Sequence, residues 1–85
     1  MLIVTTEAVA GYSTTQTLGV VVGYGSHSLM TTGFERQREE SWDKARHGML
    51  SEARALGANA IVAMRMDWQG ATVVVFGTAV LVEPV

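Results

Sequence analysis

Glu39, Asp43 and His47 follow one another at intervals of four residues. On a helix that spacing stacks side chains along one face, so two carboxylates and an imidazole could converge on a divalent cation. The same spacing is common on any helix face that meets water, where it has no chemical role. His27, flanked by Ser26 and Ser28 just after Gly25, is either a second candidate ligand or a plain loop histidine. Cysteine is absent, which excludes thiolate metal sites, disulfides and thiol catalysis together. A soft heavy metal would have to use the thioethers of Met30, Met49, Met64 and Met66. At helical or strand spacing, methionines serve first as adaptable core filler.

Other chemistries have less to stand on. There is no G-x-S-x-G elbow, and no third group stands where it would orient a Ser–His pair. Gly19, Gly23 and Gly25 read G-x-x-x-G-x-G, which is not the dinucleotide fingerprint. Glycines placed this way in a strand mark a bulge or a close backbone approach. A formal net charge of −2 offers no basic field to nucleic acid or anionic lipid. The start, Met1 to Glu7, lacks the positive flank and apolar run of a signal peptide, and no apolar run approaches the ~20 residues of a membrane span. These features predict one soluble, cytoplasmic, non-enzymatic domain over residues 1–85. It would have no resident cofactor and no nucleic-acid or membrane partner, with divalent-metal binding as the alternative.

The elements that would position these residues can be read from periodicity. Met1 to Thr6 is a β-branched run suited to an edge strand, and Gly11 to Thr15 has the composition of a turn or irregular connection. Leu18 to Tyr24 is a strand. Thr32-Gly33-Phe34-Glu35 has the spacing of a capping box. The helix after it would carry Phe34, Trp42, Ala45, Met49, Ala53 and Leu56 on one stripe, with Arg38 as its polar member. Glu40, Lys44, His47, Ser51 and Glu52 would line the other side, and Gly57 would end the helix as a left-handed cap. Gly48, inside the helix, predicts close packing. From Ala60 to Trp68 the residues alternate: Val62, Met64, Met66 and Trp68 on one parity, Ile61, Ala63, Arg65 and Asp67 on the other. Gln69-Gly70 is a hairpin turn, and a last strand runs from Thr72 to Val82 before Pro84.

That last strand does not alternate. Val73, Val75, Ala79 and Leu81 are apolar on one face, and Val74, Phe76, Val80 and Val82 on the other. One helix covers one face of an antiparallel sheet, so the second face should be polar in a monomer. Burying four such side chains would contribute roughly 6 kcal/mol before association costs, comparable with the whole stability of a small domain. The expectation is self-association in a closed symmetric assembly. The interface would use Trp68, Val74, Phe76, Val80 and Val82. Arg65 and Asp67 would form an inter-subunit ion pair or line a cavity. The alternative is that the strands curl enough to bury both faces within one chain. A third reading places a small molecule between subunits, stacked on Trp68.

Ala45-Arg46, then Ala53 to Leu56 running into Gly57-Ala58-Asn59-Ala60-Ile61-Val62, resembles the AR…A…LGANAVV signature of the YbjQ family of small bacterial and archaeal proteins. Gly77-Thr78-Ala79-Val80 is similar to the family's closing GTAV. Gly11-Tyr12 with Leu18-Gly19-Val20-Val21-Val22-Gly23 is similar to its N-terminal GY…LGVV.G. The resemblance implies an α+β, dodecin-like β-α-β-β subunit with an extra N-terminal strand. It also implies a homopentameric ring and carries a heavy-metal-binding label. The chain departs from the family's pattern in two places. Tyr24 stands where a glutamate is usual, and residues 26–35 are too short for the longer insert that precedes the helix. A site built on that insert would be lost here, or replaced by Ser26-His27-Ser28.

Overall fold

The computed structural model describes residues 1–26, 34–70 and 72–85, and the side chains of these apart from 34–39. Its elements are β1 (Leu2–Ile3), β2 (Tyr12–Ser26), α1 (Phe34–Ala55), β3 (Ala60–Gln69) and β4 (Thr72–Pro84). They form one α+β unit in which a four-stranded sheet has the order β1-β3-β4-β2. Both β2 and β3 run antiparallel to β4, whereas β1 runs parallel to β3. The sheet is therefore mixed, not wholly antiparallel as expected. The cause is the route of residues 4–11, which leave β1 at one edge and cross the sheet to start β2 at the other. The capping box at Thr32, together with His27 and Met30, lies outside the described residues.

β2 is longer than its apolar run. Tyr12 to Thr15, expected as a turn or connection, belong to the strand, and Tyr12 to Thr17 run along Pro84 to Val80 and extend the ladder. Threonine and tyrosine suit a pleated surface, and the long β4 provides a partner the local sequence does not reveal. Extra residues at Thr15 and Leu18 make two bulges in β2. The second fits the glycine at position 19, whose φ is 142°.

Glycine also lets α1 approach β2. A methyl group on Gly23 would overlap the Ala45 carbonyl oxygen, and one on Gly25 would overlap that of Ser41. The helix thus rests directly on strand backbone, facing it with small residues. Ser41, Ala45, Met49 and Ala53 are fully buried and Trp42 is half-buried. Leu50 joins the same core, whereas Leu56, expected on the buried stripe, is exposed. It follows the last helical turn, where the chain has already turned toward β3. That turn is a Schellman cap. The Ala58 N–H donates to the Ala53 carbonyl at 3.0 Å and the Gly57 N–H to that of Arg54 at 3.0 Å. Gly57 supplies the required positive φ of 81°. Glu40, Lys44, His47, Ser51 and Glu52 face water as expected.

The clean alternation of β3 is broken in the fold. Val62 pairs with Thr78 but Arg65 pairs with Phe76, so β3 holds one residue more than β4 between those rows. Ala63 sits in the bulge with φ 54°, the one left-handed non-glycine residue among those described. A one-residue insertion swaps the faces beyond it. Ile61, Met66 and Trp68 therefore look toward the helix side, opposite Ala79, Val75 and Val73. Val62, Arg65 and Asp67 look the other way.

Candidate functional site: a half-covered sheet face

The face turned away from α1 carries Val20, Val22 and Tyr24 from β2, and Val74, Phe76, Val80 and Val82 from β4. Ala60, Val62, Arg65 and Asp67 complete it from β3. Its two halves differ. Over one half, Val9 packs on Ala60, Val62, Val80 and Val82 as a second buried cluster, with Val4 at its margin. The N-terminal segment thus supplies part of the cover that the sequence pattern assigned to other copies. Val80 and Val82 are buried within their own chain, by a segment the strand pattern does not point to.

The other half is bare. Val20 is 71% exposed, Tyr24 68% and Phe76 39%, with half-buried Val22 and Val74 between them. Cα pairing places Val22 opposite Phe76 and Tyr24 opposite Val74, so these five form one contiguous patch. Arg65 and Asp67 rim it, opposite Phe76 and Val74. They do not pair with each other. Arg65 Nη1 donates to the Thr5 carbonyl at 2.7 Å and to that of Met64 at 2.9 Å. Asp67 Oδ2 accepts from Gln69 Nε2 at 3.2 Å. Trp68 lies on the helix side, half-buried against the main core. It is not part of the bare patch.

β2 is also a sheet edge, and one row of that edge is occupied. The Val22 N–H donates to Glu52 Oε2 at 2.6 Å, so a helix carboxylate reaches over the strand to satisfy an outward-pointing amide. By ladder alternation, the backbone groups of Val20 and Tyr24 point out of the same edge. Helical spacing puts Glu52 on the polar side of the helix, and nothing in that spacing marks it as a strand partner.

The metal candidates are less organised. Asp43 and His47 are both exposed on α1. Asp43 Oδ1 lies 3.6 Å from Arg46 Nη2, the ion pair formed among the described residues. The side chain of Glu39 and all of His27 lie outside the described residues. Among the described residues, no group of three or more histidine, aspartate or glutamate side chains is placed to hold a metal ion. No helix among them is long and apolar enough to cross a membrane.

Comparison with known proteins agrees with this fold. A UPF0145 protein of Lactococcus lactis subsp. lactis is 37% identical over 105 aligned positions, covering 100% of this chain and 97% of that protein. Those 105 positions exceed the 85 residues of this chain, so the relative carries inserted residues that this chain lacks. A UPF0145 protein of Burkholderia lata is 48% identical over 65 residues, 71% of this chain. The chain spans about half of that relative's length, 51%. A crystal structure of a DUF74-family protein of unknown function from Pediococcus pentosaceus superposes with a TM-score of 0.66 at 22% identity, covering 98% of both chains. That likeness shows the shared fold. The sequence model of a family described as "Putative heavy-metal-binding" matches residues 27–83. The chain belongs to this family, the YbjQ or UPF0145 proteins.

Proposed function

We propose that the chain is a non-enzymatic, self-assembling module of the cytoplasm, whose copies meet through the bare half of the outer sheet face. A closed homopentameric ring is the form its YbjQ membership suggests. The observation that supports this reading is the patch of Val20, Val22, Tyr24, Val74 and Phe76, left open after the chain has covered the rest of the face itself. Three exposed side chains of this size present on the order of 400 Å² of apolar surface, the size of the largest patch on a typical soluble protein, which often marks a contact surface. Among the described residues, a single helix and the eight-residue segment 4–11 leave part of the sheet uncovered, as a domain this small buries a limited share of its surface. Asp67 at the rim is suited to polar contacts across the same junction, where such charges fix register more than affinity, whereas Arg65 is engaged by the Thr5 and Met64 carbonyls of its own chain.

Native mass spectrometry and sedimentation of the full chain, with Tyr24→Asp and Phe76→Asp beside it, test the reading. The expected result is a closed oligomer for the unaltered chain and a folded, smaller species for each variant. A folded 9.1 kDa particle at micromolar concentration would overturn it.

The family description supplies a second reading, heavy-metal binding. Asp43 and His47, one helical turn apart and open to water, are the described residues available to it.

A further inference from the structure

The covered and bare halves of the outer face are one apolar surface, divided by the N-terminal segment. Along β4 it runs from Val74 and Phe76 in the open, past Thr78, to Val80 and Val82 under residues 4–11. The segment is fastened at the β3 bulge. The Ala63 N–H donates to the Thr6 carbonyl at 2.7 Å, and the Met64 N–H to that of Val4 at 3.1 Å. Val4 in turn donates to the Ile61 carbonyl at 3.0 Å, and Arg65 Nη1 reaches the Thr5 carbonyl at 2.7 Å. A bulge withdraws amides from the ladder with β4, and here the segment supplies their acceptors. The left-handed φ of 54° at Ala63 is held by the same contacts. Beyond the bulge the cover is apolar, with Val9 buried on Val80 and Val82.

We infer that residues 4–11 are an intramolecular cap that fixes the footprint of self-association, competing with a second copy of the chain for the outer face. The inference rests on the proposed self-assembly and adds its regulation. With the cap seated, a neighbouring copy reaches Val20, Val22, Tyr24, Val74 and Phe76. With the cap lifted, Ala60, Val62, Val80 and Val82 join that patch without a break, and copies associate beyond the closed assembly.

The test uses the full chain with two variants. Val9→Asp places a carboxylate in the buried part of the cap, which an unpaired charge leaves for water. Arg65→Ala removes the side-chain fastening to the Thr5 carbonyl, together with the adjacent bond to the Met64 carbonyl. Sedimentation velocity at matched concentration, with circular dichroism as the check on folding, compares both with the unaltered chain. The expected result is a rise in mean mass of at least about twofold for Val9→Asp and a smaller rise for Arg65→Ala, since one exposed side-chain anchor matters less than the buried seat. Should Val9→Asp fail to fold, Arg65→Ala decides alone. Variants that sediment like an oligomeric unaltered chain, while limited proteolysis shows residues 4–11 loosened, overturn the cap and leave self-assembly standing. An unaltered chain that is monomeric and assembles only in the variants overturns self-assembly through the bare patch and supports the cap.

Discussion

The side-chain amide of Asn59 forms two hydrogen bonds with the backbone of Val82. Its Nδ2 donates to the Val82 carbonyl at 3.0 Å, and its Oδ1 accepts from the Val82 N–H at 2.9 Å. The first β3 residue paired to β4 is Ala60, opposite Val80. One row before it, the chain still belongs to the Schellman cap of α1. The carboxamide offers the donor and acceptor of a peptide group, so it stands in for the missing strand residue. The backbone of Asn59 is engaged as well: its N–H donates to the Val80 carbonyl at 3.2 Å, and its carbonyl accepts from the Leu2 N–H at 3.3 Å. One residue thus ties β1, β3 and β4 together where the helix hands over to the sheet.

Asn59→Ala is expected to destabilise the chain by about 2 kcal/mol, because two partly buried backbone groups lose their partners together. Asn59→Asp restores the acceptor for the Val82 N–H but sets a carboxylate oxygen against the Val82 carbonyl, so it should recover little. Urea denaturation at fixed protein concentration measures both. A loss below about 0.5 kcal/mol for Asn59→Ala, the size of an ordinary surface change, would contradict the bridging role.

The helix–strand seam makes a prediction with two signs. Gly23→Ala and Gly25→Ala force a methyl group into helix backbone oxygens, and α1 must lift to accept it. Each should cost about 3 kcal/mol or more, at the upper end of overpacking. Gly48→Ala meets nothing closer than the Gly23 Cα at 3.4 Å, an ordinary contact. In a helix interior that change should stabilise by up to about 1 kcal/mol. Thermal unfolding of the three variants ranks them directly.

Glu52→Ala should free the Val22 amide. Hydrogen exchange at Val22 is expected to accelerate by more than about tenfold, with a stability loss near 1 kcal/mol, because the bond is exposed and water replaces the carboxylate. Unchanged exchange at Val22 would show that Glu52 does not hold it in solution.

Zinc, nickel and copper titrated into the protein by calorimetry should give no saturable heat attributable to Asp43 or His47. The two lie on an open helix face, and Asp43 is already turned toward Arg46. Saturable binding that disappears in Asp43→Ala and His47→Ala would install the metal reading in place of this one.

Much of the local structure was legible in the residues themselves. The buried stripe of Ala45, Met49 and Ala53 follows from helical spacing, and the stop at Gly57 from its tolerance of positive φ. The glycines of β2 signalled bulge and close approach, and both occur, at Gly19 and at Gly23 and Gly25. The apolar surplus of β4 was equally plain, since an alternating count of side chains needs no partner to be made. What covers that surplus was not. Tertiary structure alone decided that Val9 would lie on Val80 and Val82, because that contact joins segments about seventy residues apart and carries no periodic signal. It also decided the faces of β3. The alternation from Val62 to Trp68 is regular in sequence, yet one extra residue at Ala63 turns Met66 and Trp68 toward the helix, and Arg65 and Asp67 away from it. A strand's parity is a local property, but its register is set by the neighbour it pairs with. So the residues determined how much apolar surface there would be, and the packing of distant segments determined which part of it stays open.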